Sequence, residues 1–370
     1  MRVAVAVQRF GDGGVERVMT GLAGGLAALG CEVDLLVGRT AHPYVQALPD
    51  AVRVRPLGAG ADALTAALRE RPPQILFTGK LADDHAALAA RDRLDAGIRV
   101  VTTVGTPLSV SLAAKRFNPL RTWREGRRVR RDYLRLDGIT AVSSAVAEDL
   151  HQRLGITGVP LRVLPNPVVP ADLDRRIGVQ APHAWLASGA PPVVLAVGGL
   201  RKVKDFATLL RAFALLPADL GARLMILGEG RERRRLRALA ARLGIVEHVA
   251  MPGFVADPFP YLARASAMVL SSRREGLGNV LVEAMAVGTP VAATACPGGV
   301  TELLDSGRLG PLTPVGDARA LARAIAGLLQ QPTPPKLLRA AVAPYGISVS
   351  AAAYLDFFQH LLARRAGQAP

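Results

Sequence analysis

Val3-Ala4-Val5-Ala6-Val7 leads into Gly11-Asp12-Gly13-Gly14, then into an apolar helical pattern over residues 15–29 closed by Gly30, then into Glu32-Val33-Asp34-Leu35-Leu36-Val37. A β-branched run, a glycine turn, a helix and a second apolar run make a βαβ unit. Strands alternating with helices in this way are the signature of a parallel sheet covered on both faces. Working outward, strand-like runs recur at 51–54, 74–77, 99–103 and 138–142, with helical patterns at 61–69 and 81–93. Such alternation predicts an α/β fold.

After residues 161–164 comes Pro165-Asn166-Pro167, and the pattern breaks in a Pro-, Gly- and Ala-rich span reaching Pro192. The same grammar then restarts. Strands are expected at 193–197, 222–227, 249–251, 267–270 and 291–293, and helices at 206–215, 231–243, 259–264, 280–287, 318–329 and 349–363. The expected organisation is an N-terminal Rossmann-like domain over 1–170, a linker over 171–192, a second such domain over 193–345, and a terminal helix and tail over 346–370. In open α/β sheets ligands sit at the carboxyl ends of the strands, so two facing sheets would hold the active site in the cleft between them.

Half of the 370 residues are hydrophobic, which excludes a disordered chain, while aromatics are only 4%. The cores are therefore expected to be Leu, Val and Ala rather than rings. Cys31 and Cys296 cannot form a four-thiolate metal site, and a cytoplasmic compartment requires no disulfide between them. The run 3–7 is too short for a signal-peptide core, and no stretch approaches 18 apolar residues, which argues for a cytoplasmic location.

The formal charge of +16 calls for anionic partners: a nucleoside diphosphate, nucleic acid or lipid headgroups. Nine basic residues lie between Lys115 and Arg135, and a second knot runs from Arg231 to Arg237. Neither has the interleaved aromatics of a nucleic-acid platform. The first contains Phe117, Leu120, Trp123 and Tyr133, a mixture that an anionic membrane surface attracts; a solvated helix face is the other reading.

The loop Gly11 to Gly14 opens a helix, where backbone N–H groups and the helix dipole suit an oxyanion, though a tight turn without ligand accounts for it equally. It is not the dinucleotide fingerprint, because Glu16 stands at the third glycine position and the second strand ends Val37-Gly38-Arg39 without an acid for a ribose. No Gly-x-x-x-x-Gly-Lys-Ser/Thr loop occurs either.

The segment richest in chemistry follows the strand at 267–270: Ser271-Ser272-Arg273-Arg274-Glu275-Gly276-Leu277-Gly278-Asn279-Val280-Leu281-Val282-Glu283. Glu275 lies just ahead of a helix, and Glu283 in its body among apolar neighbours. A buried carboxylate requires hydrogen-bond donors, and sugar or ribose hydroxyls qualify. The amides of Gly276 to Gly278 at the helix start can meet a phosphate. Local capping and salt bridging remain an alternative account.

This segment resembles the acid, seven residues, acid motif of the retaining glycosyltransferases of family 4, whose fold is the two-domain GT-B arrangement. The resemblance extends over most of the chain: Gly13-Gly14-Val15-Glu16-Arg17, Val163-Leu164-Pro165-Asn166-Pro167, Gly198 to Lys204, Gly253-Phe254, Cys296-Pro297-Gly298-Gly299 and Pro314-Val315-Gly316-Asp317. It implies two facing Rossmann-like domains and a C-terminal helix returning to the first. It also implies a nucleotide-diphosphate sugar, UDP- or GDP-linked, and a saccharide or lipid-linked saccharide acceptor of bacterial surface-glycan or glycolipid synthesis. No metal or other cofactor is expected. The enzyme would be cytoplasmic, or peripheral on the inner face of the membrane.

Residue by residue, the resemblance assigns Glu283 to the ribose, Glu275 to the donor-sugar hydroxyls and Lys204 to the diphosphate. The amides of Gly276 and Leu277, with Gly278, would orient sugar and diphosphate. Gly253 and Phe254 would hold the base, and Gly13 with Gly14 would face the phosphate or acceptor. Two departures stand out. The family's Gly-Arg-Leu is here Gly198-Gly199-Leu200, leaving Arg201 to reach over. Gly105, in Thr103-Val104-Gly105-Thr106-Pro107-Leu108-Ser109, occupies the place of a family histidine, so Thr106, Ser109 and His85 become candidates to fill its role. A weakly active nucleotide-sugar binder, a phosphorylase and a nucleotide-sugar hydrolase of the same fold are the competing functions.

Overall fold

The computed structural model describes residues 1–94, 97–113 and 119–364. The chain divides into two compact units, one formed by Met1–Pro167 with the chain from Ile347 on, the other by Val168–Gly346.

The first unit carries a seven-stranded sheet: β1 (Arg2–Val7), β2 (Glu32–Val37), β3 (Val52–Pro56), β4 (Ile75–Thr78), β5 (Arg99–Val104), β6 (Gly138–Ala141) and β7 (Leu161–Val163). Its order is β3-β2-β1-β4-β5-β6-β7, and every pairing is parallel. The register Arg2 with Glu32 to Val7 with Val37 is unbroken. The order reverses between β1 and β4, the switch point at which the loops after neighbouring strands diverge.

The second unit has β8 (Val193–Val197), β9 (Arg223–Leu227), β10 (Val249–Gly253), β11 (Ala267–Leu270), β12 (Val291–Thr294) and β13 (Leu312–Thr313) in the order β10-β9-β8-β11-β12-β13, again all parallel. Its switch point lies between β8 and β11. The two-residue β13 gave no apolar run long enough to be read in the sequence.

The terminal helix Ile347–Ala363 packs on the helix Gly14–Ala28 of the first unit. Gly25 makes that contact possible: a Cβ there would lie 2.6 Å from the Ala351 Cβ. Tyr354, Phe357, Phe358 and Leu361 from the terminal helix join Val3, Val5, Val7 and Phe77 in one core. Phe77 meets Tyr354 and Phe358 at centroid distances of 5.6 and 5.5 Å. The expectation of ringless cores is thus corrected for this unit: Tyr354, Phe357 and Phe358 of the terminal helix meet Phe77 of β4 in the core. The second unit's core is mainly Leu, Ile, Val and Ala, with Phe206 and Phe213.

The span expected as a linker is instead folded onto the second unit. It forms the helix Leu173–Ile177 and the turn Ala184–Leu186. Leu186 is buried, Arg176 meets Asp257 at 3.2 Å, and the Arg223 guanidinium lies 4.9 Å from the Trp185 ring centre. A Pro- and Gly-rich composition marks irregular backbone, not absence of packing. No helix among the described residues is long and apolar enough to cross a membrane.

The basic stretch supplies the helix Pro119–Tyr133; Lys115, Arg116 and Phe117 lie outside the described residues. Val129 and Tyr133 point into the first unit, whereas Trp123 is 58% exposed with the Arg127 guanidinium 4.9 Å from its ring centre. The Tyr133 hydroxyl donates to Asp84 at 2.8 Å, and Asp84 also receives Thr78 at 2.6 Å and Thr102 at 2.7 Å. Complete burial pushes the Asp84 carboxyl up to about 6 despite these three donors.

Candidate functional site

In the second unit the loops after β8 and β11 leave from opposite sides of the switch point and meet again through side chains. Lys204 Nζ lies 2.5 Å from Glu275 Oε1, and the Ser272 hydroxyl donates to the same oxygen at 2.6 Å. The β8 loop is placed by Ser271, whose hydroxyl donates to the Lys204 carbonyl at 2.8 Å, and by Arg273, whose N–H donates to the Val203 carbonyl at 2.8 Å. Asp205, at φ +46°, turns the chain sharply after Lys204 into the helix Phe206–Phe213, and Arg273 pairs with it at 3.0 Å.

The Glu275 loop is fixed from the other side by the turn after β12. The Glu275 N–H donates to Pro297 at 3.1 Å, and the Gly299 N–H donates to Gly276 at 2.6 Å. Residue 298 has φ +123°, and a Cβ there would lie 1.7 Å from the Glu275 carbonyl oxygen, so only glycine fits. The side chains of Lys204 and Glu275 retain 24% and 13% exposure, so the pair is partly desolvated yet open to a ligand.

Gly278 caps the helix Asn279–Val287 with φ +87° and no side-chain cap, and Leu277 is buried. Glu283 is 3% exposed on that helix, among Leu281, Val282, Ala284 and Met285. Gly253 ends β10 beside Glu229, with half-buried Phe254 next in the chain. Arg201 stands where the Gly199 side chain is missing: its Nε lies 3.4 Å from the position a Gly199 Cβ would take. The nearby Cys296 thiol is pushed up to about 11 by burial first and the Glu275 charge second, which keeps it protonated and inert as a nucleophile.

The first unit shows a parallel arrangement. Lys80, just past β4, reaches across the switch point to Glu16 Oε1 at 2.6 Å and to the Arg9 carbonyl at 2.5 Å. The Gly11 N–H donates to the same Glu16 oxygen at 2.9 Å, and the carboxylate folds over Gly13, whose Cβ would lie 2.6 Å from Oε2. The loop read from the sequence as an anion cradle at Gly13 and Gly14 thus already has the chain's own carboxylate against it.

The candidates around Gly105 are dispersed. A Cβ at Gly105 would meet nothing within 4 Å, and Thr106 is exposed. Ser109 is committed to Asp149, through its hydroxyl and through its N–H at 3.1 Å. His85 Nδ1 lies 2.7 Å from Asp132 of the basic helix; burial first, then Arg128, holds its pKa below the usual histidine value. Sequence reasoning missed Ser272, Lys80, Asp12 and His42. Each follows within five residues on the carboxyl end of a parallel strand, which was the available signal. Among the described residues no group of three or more His, Cys, Asp or Glu side chains could hold a metal ion.

Comparison with known proteins agrees with this layout. The glycosyltransferase family 4 model matches residues 12–172, and the model described as glycosyl transferases group 1 matches residues 191–331. The lipopolysaccharide core biosynthesis glycosyltransferase LpsE of Rhizobium meliloti is 42% identical over 134 residues, 36% of this chain and 38% of that protein. The N-acetylgalactosamine-N,N'-diacetylbacillosaminyl-diphospho-undecaprenol 4-alpha-N-acetylgalactosaminyltransferase of Campylobacter jejuni is 32% identical over 198 residues, 54% of this chain and 52% of that one. The matches thus span about half or less of either relative. The crystal structure of Anabaena Alr3699/HepE in complex with UDP superposes with a TM-score of 0.77 at 19% identity, covering 97% of this chain and 100% of that one, a likeness of fold. Two parallel sheets, each with a lysine and a glutamate joined across its switch point, and family matches over both units place this chain in glycosyltransferase family 4, with the GT-B fold.

Proposed function

We propose that this chain is a retaining hexosyltransferase that moves a sugar from a UDP- or GDP-linked donor to a hydroxyl of a saccharide or lipid-linked saccharide during synthesis of a bacterial surface glycan or glycolipid. The observation that carries the reading is the 2.5 Å contact of Lys204 with Glu275 across the β8/β11 switch point. It joins a cation suited to a diphosphate to a carboxylate suited to hydroxyls. Lys204, with Arg201 in the space beside Gly199, neutralises the charge that grows on the diphosphate as the sugar leaves. Glu275 orients the sugar hydroxyls and Glu283 accepts from the ribose. Gly253 and Phe254 contact the base, and the Gly276, Leu277 and Gly278 amides meet sugar and diphosphate.

In the reaction the bond from the anomeric carbon to the phosphate oxygen breaks while the acceptor oxygen bonds on the same face. The acceptor's proton passes to the departing phosphate oxygen. Gly13, Gly14 and the loop of Gly105 and Thr106 belong to the acceptor side, while Ser109 and His85 hold that loop and the basic helix in place. The names of the relatives, one acting in lipopolysaccharide core synthesis and one on an undecaprenol-linked saccharide, support a surface-glycan acceptor. The exposed Trp123 and the arginines around it support contact with an anionic membrane.

Thermal-shift screening of UDP- and GDP-sugars, followed by mass spectrometry and proton NMR of the product, tests the proposal. Stabilisation by one nucleotide class and an α-linked product from an α-linked donor are expected. A β-linked product would reject retention, and indifference to every nucleotide would reject the donor class.

A further inference from the structure

We propose that Asp12 is a hydroxyl-binding residue of the acceptor site, presented by the buried His42; the inference rests on the transferase reading above. His42 is 1% exposed, and its Nε2 lies 2.9 Å from Asp12 Oδ1. Its Nδ1 accepts the Tyr44 N–H at 3.2 Å, which leaves Nε2 as the protonated nitrogen of the neutral ring and hence the donor to Asp12. The imidazole is also held by rings: Phe10 packs edge-on at 5.0 Å and Tyr44 at 4.7 Å.

The buried Nε2–H needs an acceptor, and the one it meets is a carboxylate that stays 53% exposed. Here it fixes one oxygen of that carboxylate and leaves the group facing solvent at the end of the β1 loop, beside the switch point. The loop is pinned independently one residue earlier, where the Gly11 N–H donates to Glu16, itself bound to Lys80. Asp12 is thereby preorganised, so binding costs little ordering.

The chemistry of the group selects its ligand. A carboxylate only accepts hydrogen bonds, and a pair of neighbouring hydroxyls donates to it in charge-assisted fashion. Half-buried Tyr44 packs against the same imidazole and has the Arg17 guanidinium over its ring, 5.8 Å from the centre, so it braces His42. A phosphate or other anion would be repelled by Asp12. The ligand class is therefore a neutral pyranoside with vicinal hydroxyls.

The test uses the full chain saturated with UDP or GDP and titrates methyl α-D-glucopyranoside, methyl α-D-galactopyranoside and methyl α-D-mannopyranoside, read by saturation-transfer NMR. At least one should bind the wild type. Asp12→Asn keeps an acceptor for His42 and removes the charge, so the melting temperature should hold while pyranoside affinity falls at least about fivefold. Asp12→Glu should recover part of it. His42→Phe should weaken the pyranoside and not the nucleotide, since it frees the carboxylate it positions. If no methyl hexoside binds the wild type, or if Asp12→Asn binds as tightly as the wild type, the assignment is overturned and the pair only ties the loop. Calorimetry with UDP and GDP on the same samples separates the two readings, because failure to bind either nucleotide would reject the donor proposal and leave the pyranoside result to stand alone.

Discussion

Lys204 reaches Glu275 because three small groups leave it no other course: Ser271 holds its carbonyl, Asp205 turns the chain after it, and Ser272 shares its target oxygen. Lys204→Ala removes a charge directed at the diphosphate and little packing, so turnover should fall at least tenfold, the effect of about 1.4 kcal/mol, at unchanged melting temperature. Steady-state kinetics on the donor found by screening checks this, and an unaltered rate would remove Lys204 from the reaction. Glu275, Glu283 and Lys204 were legible as candidates because they stand in a short, ordered motif. Asp12 with His42, and Lys80 with Glu16, were not, since each pair joins loops after different strands. Only the strand order β2-β1-β4 brings them together.

At the scale of elements, the helix Pro119–Tyr133 has one face committed and one not. Tyr133 and Asp132 tie it to Asp84 and His85, and Arg128 and Arg131 lean on Asp132 at 3.7 and 3.0 Å. Arg124, Arg127 and Trp123 are exposed. The membrane proposal therefore places its weight on Arg124→Glu with Arg127→Glu, which spare the anchoring face. The wild type should sediment with anionic vesicles at low salt, and this pair of changes should cut that binding severalfold, each basic side chain contributing about 1 kcal/mol. Equal sedimentation would leave the helix a solvated surface. The anchor itself predicts a pH dependence. Asp84 titrates near 6 in the folded chain and near 3.9 when unfolded, so between these values the folded state holds the extra proton and stability falls as pH rises. Asp84→Asn lacks this loss. Its cost relative to the wild type should shrink by about 2.5 kcal/mol from pH 3.5 to pH 7.5 in urea melts. A cost that grows with pH would mean that the three hydroxyls favour the charged form over burial. None of this was legible beforehand, because buried donors around Asp84 come from β4, β5 and the basic helix at once.

Across the whole molecule, most long strands and helices were readable from apolar runs punctuated by glycine, whereas short elements such as β13 and the helix Leu173–Ile177 were too brief to leave a pattern. The terminal helix was readable as a helix, but its aromatic contribution to a core built from the first residues of the chain needed the fold. Phe358→Ala should cost about 3–5 kcal/mol in urea unfolding, since the ring is fully buried against Phe77 and Tyr354. A loss below about 1 kcal/mol would show that the first unit does not depend on the returning helix. The central claim is that the second unit reads a nucleotide sugar in parts, ribose at Glu283 and sugar at Glu275. Calorimetric titration of the wild type, Glu283→Gln and Glu275→Gln with the nucleoside diphosphate and with its sugar conjugate tests it most directly. The account predicts that Glu283→Gln weakens both ligands alike, whereas Glu275→Gln weakens only the conjugate; equal loss of nucleoside diphosphate affinity in both variants would contradict it.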